Sequence, residues 1–453
     1  MKIVHVVAPL LVALTIVVPA KSPGQIGPPA PSDSLPAVRP RIATLSVEQA
    51  VEEAEQSNPE IRAAVRRLSL AQMKIATSRS LDDPMFMVRD WDTPLRKPWD
   101  LNQAQAMFSV QQTFPGDGKR ELRARVAGDD AEAAADDLET MRQDVSAQVR
   151  EVCSILLRNA DEMQLHNQQA GLLKEASAAV LSEYTTGKAP QGDVLRAQMA
   201  LTRLNEHLVE LNEERNDATA QLDFLMGRDP DSAVEISGSY KESDGLPSLE
   251  DLERIAIEHR PELAELRAQV TKSRDMGHLT RLAIKPDFTV AAGYMLMPTG
   301  SAFRNAYMAE LSMNLPWMNR ARHDGEAQQA GAATDVAQAE LAARVAAVYL
   351  EIRQAQIEVQ SAQTRVKLYR NTLLPQAEAS FRASTAAYQN SRSDFMNVID
   401  SENLLLDVRT DLYKAASAMD AGIARLERSI GAPLSSTAHV NAITDAITER
   451  TGK

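Results

Sequence analysis

The residues in this chain that could do chemistry lie beside two interruptions in otherwise helix-forming sequence. YTTGKAPQGDVLRAQ occupies positions 184–198, and YQNSRSDFMNVIDSE occupies 388–402. Each opens on a tyrosine, breaks the helical pattern and then presents an acid, Asp193 in the first and Asp400 in the second. Tyr184 and Tyr388 are 204 positions apart, and so are Val194 and Val398. An acid directly after Gly192 suits the cap of a returning helix, whereas Asp400 suits a solvated helix face. Other chemistries find less support. The histidines His5, His166, His207, His259, His278, His323 and His439 are scattered, and none has the spacing of a zinc site. Cys153 is the single cysteine, in VREVCSILL, where a small buried apolar residue is expected. Met85, Met87, Met295, Met297, Met308, Met313 and Met318 cluster on strand candidates. Thioethers suit Cu(I), but apolar filling of strands is the simpler role. There is no nucleophile-and-base constellation and no phosphate loop, so the expectation is a non-enzyme with no cofactor and no resident metal.

The interruptions must be positioned by the elements around them. The chain has 453 residues, 44% hydrophobic and 4% aromatic, a composition that favours helix. Length alone suggests two or three domains. A net charge of −13 argues against a nucleic-acid partner. Residues 1–20 carry Lys2, an apolar run and Val18-Pro19-Ala20, the pattern of a cleaved secretory signal. An uncleaved anchor is the competing reading. No cysteine follows the run, so no lipid anchor is expected there. Residues 21–45 read as a Pro/Ser-rich linker and 434–453 as a C-terminal tail.

From Ser46 the chain repeats itself. SVEQAVEEAEQSNPEIRA and SLEDLERIAIEHRPELAE start 202 residues apart, at Ser46 and Ser248. Pro59 matches Pro261 and Pro84 matches Pro286 at the same offset, Pro115 matches Pro316 at 201, and Gly227 matches Gly431 at 204. This is an internal duplication, of 46–230 and 248–433. Each half reads as a helix (about 46–80 and 248–282) opened by a serine cap, two strands, and a long helical hairpin (about 118–226 and 319–430). Val194, Ala197, Leu201, Leu204, Leu208 and Leu211 fall at alternating spacings of three and four, as do Val398, Ser401, Leu405, Val408, Leu412 and Ala415. The interrupted stretches are then the hairpin turns, with Gly187, Pro190 and Gly192 making one and Asn390 to Ser393 the other. Pro375, inside a long helix, should kink it.

The strand candidates are about 84–91, 105–114, 287–296 and 305–315. Tyr307, Ala309, Leu311, Met313 and Leu315 alternate with Met308, Glu310, Ser312 and Asn314. Ala106, Phe108, Val110 and Phe114 alternate with Met107, Ser109, Gln111 and Thr113, and Phe288, Val290, Ala292, Tyr294 and Leu296 share a face. Such segments suit a membrane β-barrel or a sheet buried on one side. Trp91, Trp99 and Trp317, at strand ends, suit interfacial anchoring or packing. Four strands cannot close a barrel, and open edges are not tolerated in lipid, so a membrane role demands a barrel shared among chains.

These features together resemble the outer-membrane efflux proteins, the TolC-like exit ducts of Gram-negative bacteria. The resemblance spans about 46–433. It rests on the duplication, on TFPGDGKR and NLPWMNRAR, on TLLPQAE and on the two interrupted stretches. GKAPQGDVLRAQ is closest to the heavy-metal and cation branch. The resemblance implies a mainly α fold: a homotrimer with a twelve-stranded barrel in outer-membrane lipid and a periplasmic α-helical tunnel. The implied partners are a periplasmic adaptor and an inner-membrane pump of the resistance-nodulation-division or ABC type. Type I protein secretion is the alternative role. A periplasmic adaptor is a further alternative, which two hairpins and only four strands count against. By the family's pattern Gly187, Lys188, Pro190, Gly192, Asn390 and Ser391 form adaptor-binding tips. Asp193, Asn397 and Asp400 match constriction positions, where three-fold symmetry would make carboxylate rings that favour cations. Arg392 is the nearest basic residue to balance them. Ser391 stands where the family usually has glycine.

Overall fold

Ser46 and Ser248 open the two halves of the molecule in the same way. The Ser46 hydroxyl accepts from the Gln49 amide at 3.2 Å, and the Gln49 side chain accepts from the Ser46 amide at 2.9 Å, a reciprocal capping box. Ser248 accepts from the Asp251 amide at 3.2 Å. The structure, a computed structural model, describes residues 43–91, 105–187, 189–230, 232, 234–240, 245–297, 305–390, 392–393 and 395–434. The signal peptide at 1–20, the linker up to residue 42, Trp99, Lys188, Ser391 and the tail beyond residue 434 lie outside them, as does the side chain of Trp91.

In chain order the elements are β1 (Ala43–Ser46), α1 (Val47–Ser57), α2 (Pro59–Arg79), β2 (Met85–Trp91), β3 (Gln105–Phe114), α3 (Lys119–Thr185), α4 (Gln191–Leu225), β4 (Val234–Ser237), α5 (Leu249–His259), α6 (Pro261–Leu282), β5 (Phe288–Leu296), β6 (Asn305–Met313), α7 (Arg320–Leu368), α8 (Leu374–Gln389) and α9 (Phe395–Ile430). They divide into a sheet unit, residues 79–121 and 279–327, and a helical unit made of the rest.

Two sequence expectations need correction. Each opening helix is two helices, broken before Pro59 and before Pro261, because the residue preceding proline is pushed out of the α region. Asn58 uses the break: its Oδ1 accepts from the amides of Glu60 and Ile61 and so caps α2. There are also more strands than four, since β1 and β4 form a parallel two-stranded ribbon at the end of the expected linker. Where the kink was expected, at Pro375, the helix is interrupted by a single π-helical turn, Tyr369–Leu373, in which the Leu374 amide donates to the Tyr369 carbonyl. The wider turn falls where proline removes a donor from the ladder.

The helical unit holds two equivalent cores. Ala50 and Ala54 of α1 and Ile61 of α2 pack with Val145, Val149, Val152 and Cys153 of α3 and Leu222 of α4. Leu252 and Ile255 of α5 and Leu263 of α6 pack with Val348, Ile352 and Val359 of α7 and Met419, Ile423 and Leu426 of α9. Burial pushes the Cys153 thiol up to about 12, so it is held as an inert thiol. Each hairpin ends on a glycine in the left-handed region, Gly227 (φ 67°) and Gly431 (φ 72°). A methyl group on Gly227 would meet the Ser57 carbonyl oxygen at 2.5 Å, and one on Gly431 the His259 carbonyl oxygen at 2.9 Å. The helix break of each half thus seats the end of its own hairpin. Asn58 donates to the Leu225 carbonyl at 2.8 Å, and its counterpart Arg260 donates to the Ser429 carbonyl at 3.2 Å.

The second seat is charged. Glu262 takes Arg260 and Arg428 at 2.5 Å, with Arg344 at 3.5 Å. Burial alone would raise the Glu262 carboxyl, but the hydrogen bonds and charges of Arg428 and Arg260 outweigh it and bring it down to about 2.

In the sheet unit the order is β2-β3-β5-β6, all antiparallel. The register puts Val88, Phe108, Tyr294 and Tyr307 in one row, and Phe86, Val110, Ala292 and Ala309 in the next. That face is apolar and open, with Tyr307 89% and Leu311 71% exposed. The opposite face carries buried Met107, Ser109 and Ala291, with Glu310 and Ser312 of β6. Below the sheet, Lys119 of the TFPGDGKR motif is buried and donates to the Asp287 carboxylate and the Lys285 carbonyl, each at 2.8 Å.

Two predictions follow from the seats. Gly227→Ala and Gly431→Ala should each destabilise the fold by about 1–3 kcal/mol from the backbone conformation alone, before the carbonyl clash. Gly171→Ala, with open space around it inside α3, should not destabilise. Thermal melting of the three variants decides this. The Glu262 carboxyl sits below its unfolded value, so its stabilisation is full above pH 4.5 and lost as pH falls towards 2. Glu262→Gln should therefore lower the melting temperature near neutrality and flatten its acid dependence in that window.

Candidate constriction and adaptor-contact site

The first hairpin turns because α3 runs out of partners for its carbonyls and its threonines supply them. Thr185 donates through its hydroxyl to the Ser182 carbonyl at 2.7 Å, and Thr186 to the Glu183 carbonyl at 2.9 Å. Gly187 then takes φ 75°, with its amide on the Tyr184 carbonyl at 2.9 Å. No neighbour crowds its Cβ position, so the backbone angle alone demands glycine. Pro190, at φ −75° and ψ 152°, is the N-cap of α4.

This geometry corrects two expectations. Gly192 lies inside the first turn of α4 and takes no part in the reversal. Asp193 is not the cap either, because Pro190 holds that position without a side-chain bond. Asp193 is a first-turn acid, favourable to the helix dipole, and its carboxylate lies 3.7 Å from Arg196. Arg196 is solvent-exposed, so that pair contributes little stability.

The second turn is built differently. Asn390 ends α8 at φ −93° and donates its side-chain amide to the Ala386 carbonyl at 2.7 Å. The Arg392 amide reaches back to the Ala387 carbonyl at 2.8 Å, and the Arg392 side chain is exposed. Asn397 donates to the Ser393 hydroxyl at 3.0 Å.

Beyond the turn, α8 and α9 enclose an open groove of about 490 Å³ lined by Ser380, Ser384, Ser393, Asn397, Asp400 and Ser401. Two of the three expected constriction residues therefore share one polar surface. Among the described residues no hydrogen bond or ion pair joins Asp193 to Asp400; the partner Asp193 has is Arg196. Of the groove serines, Ser393 was read as part of the turn and Ser401 as part of the seam, while Ser380 and Ser384 read as helix surface. A signal existed in their spacing, since Ser380 and Ser384 lie four apart, as do Asn397 and Ser401.

The seams expected from the heptads form. Val194, Ala197, Leu204 and Leu211 are buried, as are Val398, Ser401, Leu405, Val408 and Ala415. Ile399 joins Ala170, Leu173 and Leu204, so α9 packs on the first hairpin. Gln169 of α3 donates to Asn403 of α9 at 3.1 Å. Burial pushes the neighbouring Glu402 carboxyl upward. Further along the first hairpin, His166 and His207 meet edge to face with ring centres 4.6 Å apart, a pairing invisible in their scattered positions. Two methionines of the sheet have polar neighbours. Gln105 donates to Met295 at 3.1 Å and Gln111 to Met85 at 3.5 Å.

No helix among the described residues is long and apolar enough to cross a membrane. The sequence matches the Outer membrane efflux protein family over residues 50–228 and 252–432. It is 24% identical over 401 residues to the cobalt-zinc-cadmium resistance protein CzcC of Cupriavidus metallidurans, covering 86% of this chain and 93% of that one. Among solved structures it is similar to the outer-membrane channel OprN, with a TM-score of 0.72, 17% identity, and coverage of 86% of this chain and 90% of that one. CusC gives 0.72 and 15%, with 86% and 93% covered. VceC of Vibrio cholerae gives 0.70 and 19%, with 86% and 96% covered. At these identities the structures speak for the fold, while the two matched segments speak for the family: the chain belongs to the outer membrane efflux proteins.

Proposed function

We propose that this protein is the outer-membrane exit duct of a tripartite efflux system, and that three copies share one twelve-stranded barrel. The observation that carries this reading is the sheet. It has one open apolar face, a second face that carries Ser109, Gln111, Glu310 and Ser312 among apolar residues, and two edges with no strand partner among the described residues, in a chain of the outer membrane efflux family. An apolar face suits lipid and a polar face suits a lumen. Four strands per chain become twelve in a trimer, and twelve strands leave a lumen. The paired hairpins form the tunnel wall, and the protein acts as a conduit with no chemical step of its own.

The transported class is divalent metal cations. Similarity to CzcC supports this, and so does the acid at each turn. Around the three-fold axis, Asp193 and Asp400 would give rings of carboxylates, and Asn397 a ring of amides. Such rings favour cations. Like charges in a narrow, poorly hydrated space repel strongly, so a closed ring requires a compensating cation. Arg392, exposed at the second turn, is placed by sequence to supply it.

The turns at Gly187 and Pro190, and at Asn390, are the surfaces that meet a periplasmic adaptor, which links the duct to an inner-membrane pump.

Deleting the gene should sensitise cells to zinc, cobalt or cadmium. A Gly187→Val chain, which cannot hold φ 75° without strain, should fail to restore tolerance while still inserting in the outer membrane. Full restoration would remove the tip assignment. In planar bilayers, Asp400→Asn should weaken cation selectivity and Arg392→Ser should raise the conductance of the closed duct. Parental conductance and selectivity in both variants would make these residues ordinary surface positions.

A further inference from the structure

We propose that Glu162, His166 and His207 form a binding site for one divalent transition-metal ion of the zinc type, which ties α3 to α4 within the first hairpin. Each residue offers one ligand atom, and the three atoms lie within 4.8 Å of one another. Glu162 and His166 sit four apart, so their side chains share one face of α3. His207 faces them from α4, nearly as far after Gly187 as His166 is before it.

The second observation is unmet bonding. Glu162 is fully buried and His166 is 5% exposed. Yet Oε2 of Glu162 and both ring nitrogens of His166 have no hydrogen-bond partner. Buried polar atoms are nearly always paired, because leaving them unpaired forfeits their hydration with nothing in return. One cation at this point would satisfy an atom on each of the two residues.

The surroundings suit a ligand set. Arg158 donates to the other Glu162 oxygen, Oε1, at 3.0 Å and leaves Oε2 free. Nδ1 of His207 lies 3.1 Å from the Glu210 carboxylate, so Nε2 is the nitrogen left to bind. A carboxylate behind a ligating imidazole fixes its tautomer and raises its basicity.

Two cations face the cluster. Arg158 is balanced by its own pair with Glu214, and Lys414 of α9 opposes binding. Imidazole with carboxylate selects zinc-like ions over magnesium and calcium, which want oxygen ligands. A tetrahedral ion with bonds of about 2.0–2.1 Å needs ligand atoms about 3.3 Å apart, so the cluster must close by up to about 1.5 Å through side-chain rotation. Water would take the fourth position. The site is independent of what the duct carries.

The test is calorimetric titration of the chelator-treated, detergent-solubilised full chain with zinc chloride, with magnesium chloride as control. One zinc per chain should bind, magnesium should not, and zinc should raise the melting temperature. Cobalt in its place should give the strong visible absorption of a four-coordinate site. His166→Gln and His207→Ala should each weaken binding more than tenfold and abolish the cobalt signal. Should those chains fold poorly, Glu210→Gln decides, because Glu210 is exposed; the loss expected is about tenfold or more. No saturable zinc binding by the parent would overturn the proposal. So would parental affinity in the His166→Gln/His207→Ala chain, or in Glu210→Gln.

Discussion

A backbone amide in hydrocarbon must donate to a carbonyl, because no water is present to accept from it. Inside the sheet that demand is met: β3 pairs with β2 and β5, and β5 with β6. The free edges of β2 and β6 have no such partner among the described residues. One face of the same sheet exposes Phe86, Val88, Tyr307 and Leu311. A soluble protein would cover that face and blunt those edges. In the proposed shared barrel, lipid would cover the face and further copies of the chain would pair with the edges.

The duplication answers the same demand with little sequence. One half supplies two strands and one hairpin, and the second half supplies them again. What makes the halves equivalent is the seat at each helix break. Residues Ser57 to Pro59 receive Gly227, and His259 to Pro261 receive Gly431. The contacts at the two seats have diverged in kind. Asn58 holds the first with neutral hydrogen bonds, while Arg260, Glu262 and Arg428 hold the second with buried charge. A buried ion network is costly to desolvate and costly to break, so the second seat is the more sensitive of the two to acid.

Much of the fold was legible because its signals are periodic. Alternation marked the faces of β3, β5 and β6, and the three-four spacing from Val194 to Leu211 marked a seam that is buried. What escaped notice was short or non-local. The strands of the β1–β4 ribbon have four residues each, too few to show a period. The breaks at Pro59 and Pro261 were hidden because the apolar pattern runs through them. Gly192 was assigned to the turn and Asp193 to the cap of the returning helix by residue type, whereas the threonines before Gly187 do much of the closing. His166 and His207 looked scattered because only the register of the hairpin brings them together. The groove beside Asp400 is made of serines, whose helical spacing carries a weak signal against an ordinary polar helix face.

The account stands or falls on the shared barrel. Its most direct test is the mass of the protein extracted from outer membranes in mild detergent, corrected for bound detergent by light scattering. The account predicts a single species of three chains that retains β signal in circular dichroism. A monodisperse single chain that keeps the same β signal would contradict it, because the edges of β2 and β6 would then be satisfied without partners.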